Sequence, residues 1–202
     1  MFFMMGTIEF EKLKQFVFSE LLVSIPQSMH YHSLNHTKDV LKQVELIGCS
    51  EGCVTEDILL LKTAALFHDI GYLYSYENHE QISCEICEYV LPDYNYSETQ
   101  IRTICRLILA TKMPHHPNDL LERIICDSDL DYLGRDDFSE ISFLLFRELE
   151  ERKVISTIKE WDQLQLKFIS NHSYFTDTAI KRRDNRKKMH VDLIRKRVSN
   201  FN

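Results

Sequence analysis

The sequence predicts an all-α fold, on three observations. Only 5 glycines and 4 prolines interrupt 202 residues, too few breakers for a turn-rich β architecture. Apolar residues recur at helical spacing along most of the chain, whereas strand-like alternation never persists. Capping residues also stand where the periodic stretches begin, as at Thr55 and Ser97.

Taken in order, Thr7 is a good N-cap, and Phe10, Leu13, Phe16, Val17 and Leu21 follow it at helical spacing to about Val23, where Pro26 intervenes. A loop containing Met29-His30-Tyr31-His32 leads to a second helix through His36, Val40, Val44 and Ile47, with Gly48 expected to stop it. Thr55 caps a third helix, with Glu56 and Asp57 well placed in its first turn. From Ile58 to Phe67 this helix is apolar on nearly every side, so it should be central.

A tyrosine-rich connection then precedes a helix from about Asn78 to Val90, broken by Pro92. Ser97-Glu98-Thr99-Gln100 is a capping box that opens a helix carrying Ile101, Ile104, Cys105 and Ile108. Pro114 and Pro117 bracket a loop with His115 and His116, and the next helix runs from Asp119 to about Asp127. Three more helices follow: one from near Ser139 through Leu149, one around Trp161 to Phe168, and one from about Thr176 to Val198. The expectation is one domain over 1–202 with eight or nine helices, its chemistry within about 30–135 and its C-terminal helices within 138–198.

Composition narrows the function classes. A hydrophobic share of 44% and a charged share of 27% are those of a globular protein. Met1-Phe2-Phe3-Met4-Met5 is apolar but too short for a signal-peptide core, and no stretch approaches a membrane span, so a cytoplasmic protein is expected. The six cysteines are then expected as reduced thiols, and Cys84-x-x-Cys87 as two thiols on a helix face. A formal charge of −7 argues against a dedicated nucleic-acid binder, although the segment from Lys181 to Arg197 is strongly basic. That segment reads as a solvated face offsetting an acidic body.

Chemistry concentrates at His68-Asp69, an imidazole and a carboxylate at the end of the most apolar helix, where a polar pair is costly unless something binds it. His32 and His36 stand at i and i+4, a spacing that would put both on one helix face. A third part, the acidic cluster Asp127-Ser128-Asp129-Leu130-Asp131, completes the order H…HD…D. Two imidazoles with two carboxylates suit a divalent ion such as Mn²⁺, Fe²⁺, Mg²⁺, Co²⁺ or Zn²⁺ and leave positions open for water and a phosphate oxygen.

On His36, His68-Asp69-Ile70-Gly71 and Cys126 to Gly134, the sequence resembles the HD-domain superfamily of metal-dependent phosphohydrolases, over about half the chain. The resemblance implies a helical bundle in which His36, His68, Asp69 and Asp129 bind one metal. Asp129 is preferred for its place in Ser128-Asp129-Leu130, with Asp127 the runner-up. A second ion would draw on His79 and on His115 or His116, with Asp69 bridging.

Tyr31-His32-x-x-x-His36-x-x-Asp39-Val40 is similar to the opening motif of class I cyclic-nucleotide phosphodiesterases, which implies His32 as general acid. Ser33 and Tyr72 depart from that family's pattern, so the likeness bears on His32 and not on cyclic nucleotides. The implied activity is hydrolysis of a phosphate mono- or diester of a nucleotide or nucleotide-derived molecule by metal-activated water. The implied partner is a small phosphorylated substrate. The alternatives are a catalytically silent nucleotide-binding module of the same fold and a di-iron oxygenase. Lys112 and Arg135 are the cations considered for phosphate.

Overall fold

The structure is a computed structural model that describes residues 2–201. Among the described residues the chain forms nine α-helices, three short 3-10 turns and no strand. The helices are α1 (Phe2–Ser24), α2 (Leu34–Ser50), α3 (Thr55–Phe67), α4 (His79–Val90), α5 (Glu98–Ala110), α6 (Leu120–Asp129), α7 (Phe138–Glu151), α8 (Ile158–Asn171) and α9 (Asp177–Ser199). No helix among the described residues is long and apolar enough to cross a membrane.

The all-round apolar α3 is the centre of the bundle. Leu61, Ala64, Ala65, Leu66 and Phe67 have no exposed surface, and α2, α5 and α6 pack around them. Each fully buried Leu or Phe there contributes about 1.5–3 kcal/mol. The capping box at Ser97 forms in full, with the Ser97 hydroxyl accepting from the Gln100 amide and the Gln100 side chain reaching back. Thr157 and Glu160 make a second one that opens α8.

Three expectations are corrected. The first helix begins at Phe2, so Thr7 lies inside it; Gly6 just before it weakens a helix without ending it, and a capping residue type is not by itself a start. Gly48 lies inside α2, which continues to Ser50. A Cβ there would run into the side chain of Ile58, so this glycine serves close packing of α3, and the left-handed turn falls instead at Gly52, with φ of 81°. Finally, α2 begins at Leu34, so His32 and His36 do not share a helix face.

The basic α9 is largely neutralised within the molecule. Arg183 pairs with Asp131 at 2.7 Å, Lys188 with Asp184 at 2.6 Å and Arg197 with Asp162 at 2.8 Å, and Arg186 reaches Asp136. All six cysteines are free thiols, and Cys84, Cys87, Cys105 and Cys126 are buried.

Candidate metal centre

Helix ends build the site. His36 enters from the first turn of α2, His68 caps the C-terminus of α3 with Asp69 directly after it, and Asp129 is the last residue of α6. Two helix C-termini therefore aim their partial negative charge at one place, which favours a cation there. The turn after Asp69 is held by α4: the Gly71 amide donates to the Ser83 hydroxyl at 2.9 Å, and that hydroxyl donates to the His68 carbonyl at 3.0 Å. Gly71 has to be glycine, because a Cβ would fall inside contact distance of the His79 backbone. That close approach delivers His79 to Asp69.

The ligand atoms converge. His36 Nε2 lies 3.2 Å from His68 Nε2, 3.4 Å from Asp69 Oδ2 and 3.0 Å from Asp129 Oδ1. His68 Nε2 lies 3.2 Å from Asp69 Oδ2 and 3.5 Å from Asp129 Oδ1. Donors bound to one ion at about 2.1 Å stand about 3.0 Å apart in octahedral and about 3.4 Å apart in tetrahedral geometry. The spacing is therefore that of a metal shell. His36, His68 and Asp69, all buried, form a cluster able to hold a metal ion.

Protonation supports the same fit. A carbonyl only accepts, so the 2.9 Å contact of His68 Nδ1 with the Ala65 carbonyl puts the proton on Nδ1. His68 Nε2 then faces two carboxylates, whose charges and hydrogen bonds outweigh burial and raise the His68 pKa, so the centre calls for positive charge, from a proton or from a cation. Asp69 Oδ2 is buried without a hydrogen-bond partner, a costly state that a cation would relieve. Burial works against charge on Asp69, but the charge of His68, with those of His32 and His36, outweighs it and holds the carboxyl below its usual range. His79 repeats the pattern: its Nδ1 contacts the Tyr76 carbonyl at 3.4 Å while Nε2 faces Asp69 Oδ1 at 3.6 Å. Burial, opposed by the nearby Asp69 charge, lowers the pKa of His79 and favours the neutral form that a ligand needs.

The sequence reading missed Glu148. This α7 residue, with no exposed surface, accepts from the Tyr31 and His32 amides at 3.0 and 3.1 Å and from His32 Nδ1 at 2.5 Å. It anchors the loop before α2 and leaves His32 Nε2 as the nitrogen available to the cavity that His32 lines. Burial would lower the His32 pKa, but the Glu148 hydrogen bond and the surrounding carboxylates raise it overall. The available signal was a glutamate between Phe146 and Leu149, on the core side of an amphipathic helix.

Other candidates lie elsewhere. Asp127 accepts from the Phe175 amide at 2.9 Å and from the Thr176 amide and hydroxyl at 2.8 and 2.7 Å, which ties α6 to the start of α9. His115 donates from Nε2 to the Thr111 carbonyl at 3.0 Å, and it lines with His116 a cleft beside Phe175 that adjoins the cavity of the cluster and shares Met113, Leu164 and Phe168 with it. Arg135 is held by Asp39 at 2.7 Å and by Asp137 at 2.8 Å. Lys112 is exposed and lines the cavity, as do His32, Asp69, His79 and Asp129.

Comparison with known proteins is consistent with this geometry. Residues 33–132 match the model of the HD domain family. The chain carries an HD domain. A solved structure described as a predicted HD superfamily hydrolase, from an uncultured Thermotogales bacterium, is similar over 93% of this chain and 92% of that one. Its TM-score of 0.61 at 17% identity shows a shared fold. An uncharacterised protein of Clostridium beijerinckii is 38% identical over 81 residues, 39% of this chain. The match spans about half, 51%, of that relative's length. The HD match ends at residue 132, so Glu148 and the C-terminal helices lie beyond it.

Proposed function

We propose that this HD domain is a metal-dependent phosphohydrolase in which His36, His68, Asp69 and Asp129 hold the catalytic divalent ion. The observation that carries the reading is the convergence of these four side chains around the partnerless Asp69 Oδ2. When bound, the ion supplies Lewis-acid polarisation of a phosphoryl oxygen and lowers the pKa of a water.

The protein's own groups do the rest. Asp69 serves the ion and orients the attacking water, while His79, facing its second oxygen, marks the place of a second ion. As the P–O bond to water forms and the P–O bond to the leaving group breaks, His32 gives the proton on Nε2 to the departing oxygen. Glu148 keeps His32 protonated and fixes its ring, a positioning role. Water then returns a proton to His32, and the products are an alcohol and a phosphate.

The test is elemental analysis of purified protein combined with a Mn²⁺-supplemented panel of phosphate mono- and diesters, with Asp69→Ala as the blank. The expected result is bound metal and turnover that disappear together in the variant, whose fold is checked by circular dichroism. Full metal occupancy with an inert response across both ester classes overturns the reading.

A further inference from the structure

The cavity beside the metal cluster, about 450 Å³, has two kinds of lining. Asp69, Asp129 and His32 supply polar groups. An apolar wall comes from the C-terminal helices: Leu145 and Leu149 of α7, and Trp161, Leu164 and Phe168 of α8. Gln165, the amide on this wall, is already engaged, since its Nε2 donates to the Ser142 hydroxyl and its Oε1 accepts from Arg197 at 3.5 Å. The wall therefore offers dispersion and burial and little hydrogen bonding, which suits an apolar body and penalises a sugar whose hydroxyls would be left unpaired.

Charge points the same way. Among the described residues of the lining, Lys112 is the lysine or arginine present, against the carboxylates of Asp69, Glu80 and Asp129. Lys112 stands at the exposed rim, 3.5 Å from the Asn78 side-chain oxygen. The guanidinium of Arg152 lies on the Tyr76 ring, 3.4 Å from its centroid, and is not part of the lining. Against those three carboxylates, two divalent ions and one lysine leave two positive charges, which a single phosphate dianion balances. A chain of phosphates would bring several uncompensated charges into a cavity lined by carboxylates and apolar side chains.

From this we infer the substrate class: an ester of one phosphate group whose organic part is uncharged and apolar, aliphatic or aromatic, lying against Leu149, Trp161, Leu164 and Phe168. The inference rests on the hydrolase reading for the place of the phosphate. Substrate choice then belongs to α7 and α8.

Trp161 is the single tryptophan of the chain, so its fluorescence reports occupancy of this wall. The probes are n-alkylphosphonates of two, four, six and eight carbons, which cannot be hydrolysed, titrated into the Mn²⁺-loaded protein beside glycerol phosphate and tripolyphosphate. The expected result is a Kd that falls about two- to fourfold per added methylene, with hexylphosphonate tighter than either polar probe. Leu164→Asp, at a position 41% exposed and so tolerant of substitution, should flatten the series. A wild-type series independent of chain length, or tripolyphosphate as the tightest ligand, overturns the inference. If the series holds while no ester is hydrolysed, the hydrolase reading falls and the apolar subsite stands. If esters are hydrolysed while the series is flat, the subsite falls and the hydrolase reading stands.

Discussion

Replacing Glu148 separates its structural role from the positioning of His32 proposed for it. In Glu148→Ala the amides of Tyr31 and His32 and the ring N–H of His32 lose their acceptor. At about 1–3 kcal/mol for each buried orphan, partly relieved by entering water, the expected loss is about 4 kcal/mol. For a domain of this size that lowers Tm by about 8–16 °C.

Glu148→Gln keeps the shape and an oxygen for the two amides, so its stability cost should be only about 1–2 kcal/mol. Its NH2 group, however, cannot accept from His32 Nδ1. The neutral imidazole must turn its lone pair to Nδ1, and the anion that favours the protonated ring is gone. The assay compares two monoesters on Mn²⁺-loaded enzyme: an alkyl phosphate, whose leaving oxygen needs a proton, and p-nitrophenyl phosphate, whose leaving group does not. The variant should lose about 100-fold in kcat on the alkyl ester and about threefold on the aryl ester, in keeping with general-acid contributions of 10²–10⁴. Equal losses on both would refute the proton-donor assignment and leave Glu148 a purely structural anchor.

Two further outcomes follow. Gly71→Ala should destabilise the fold by about 3 kcal/mol, a Tm decrease of about 6–12 °C, because the new methyl must displace the His79 backbone; unchanged melting would show that this approach is loose. His172→Gln should flatten the acid limb of the stability curve. Burial, and then the Lys187 ammonium and His115, hold His172 down to about 3, with Asp184 and Asp129 opposing, so the folded protein leaves it neutral while the unfolded chain takes a proton below about 6.5. The unfolded state thus binds more protons between about 3 and 6.5, and stability present above that window is lost as pH falls through it, by about 2 kcal/mol between pH 7 and 5. Melting curves with identical acid slopes in both proteins would refute this.

Legibility in the sequence followed locality. The all-α class, the nine helices near their expected bounds and the central place of α3 rest on periodicity and caps, which are properties of neighbouring residues. The order H…HD…D was equally readable, because each of its residues sits at a helix end of its own segment. Glu148 was not: it meets His32 across 116 residues, and no local pattern announces a loop's hydrogen-bond acceptor in a distant helix. The same holds for His115 and His116, whose place in the sequence suited a second ion: they line an adjoining cleft, and His115 stands 6.5 Å from the Phe175 ring. Asp127 and Asp129 show the limit most sharply. Two residues apart on α6, one tethers α9 and the other reaches the imidazoles, and only the packed helices decide which.

The tether has a wider consequence. Asp129 sits in a short stretch gripped from behind by the C-terminal helix, through Asp127 to Thr176, Asp131 to Arg183, and the Leu133 carbonyl to the His190 ring. The four proposed ligands lie within the span that matches the HD domain family, residues 33–132, whereas Thr176, Arg183 and His190, which align the last of them, lie beyond it. Shuffling this span onto another C-terminal tail would transmit the full set of ligands and leave behind the alignment of Asp129. Inheritance of the motif and inheritance of a working centre are therefore separable events in such a chain.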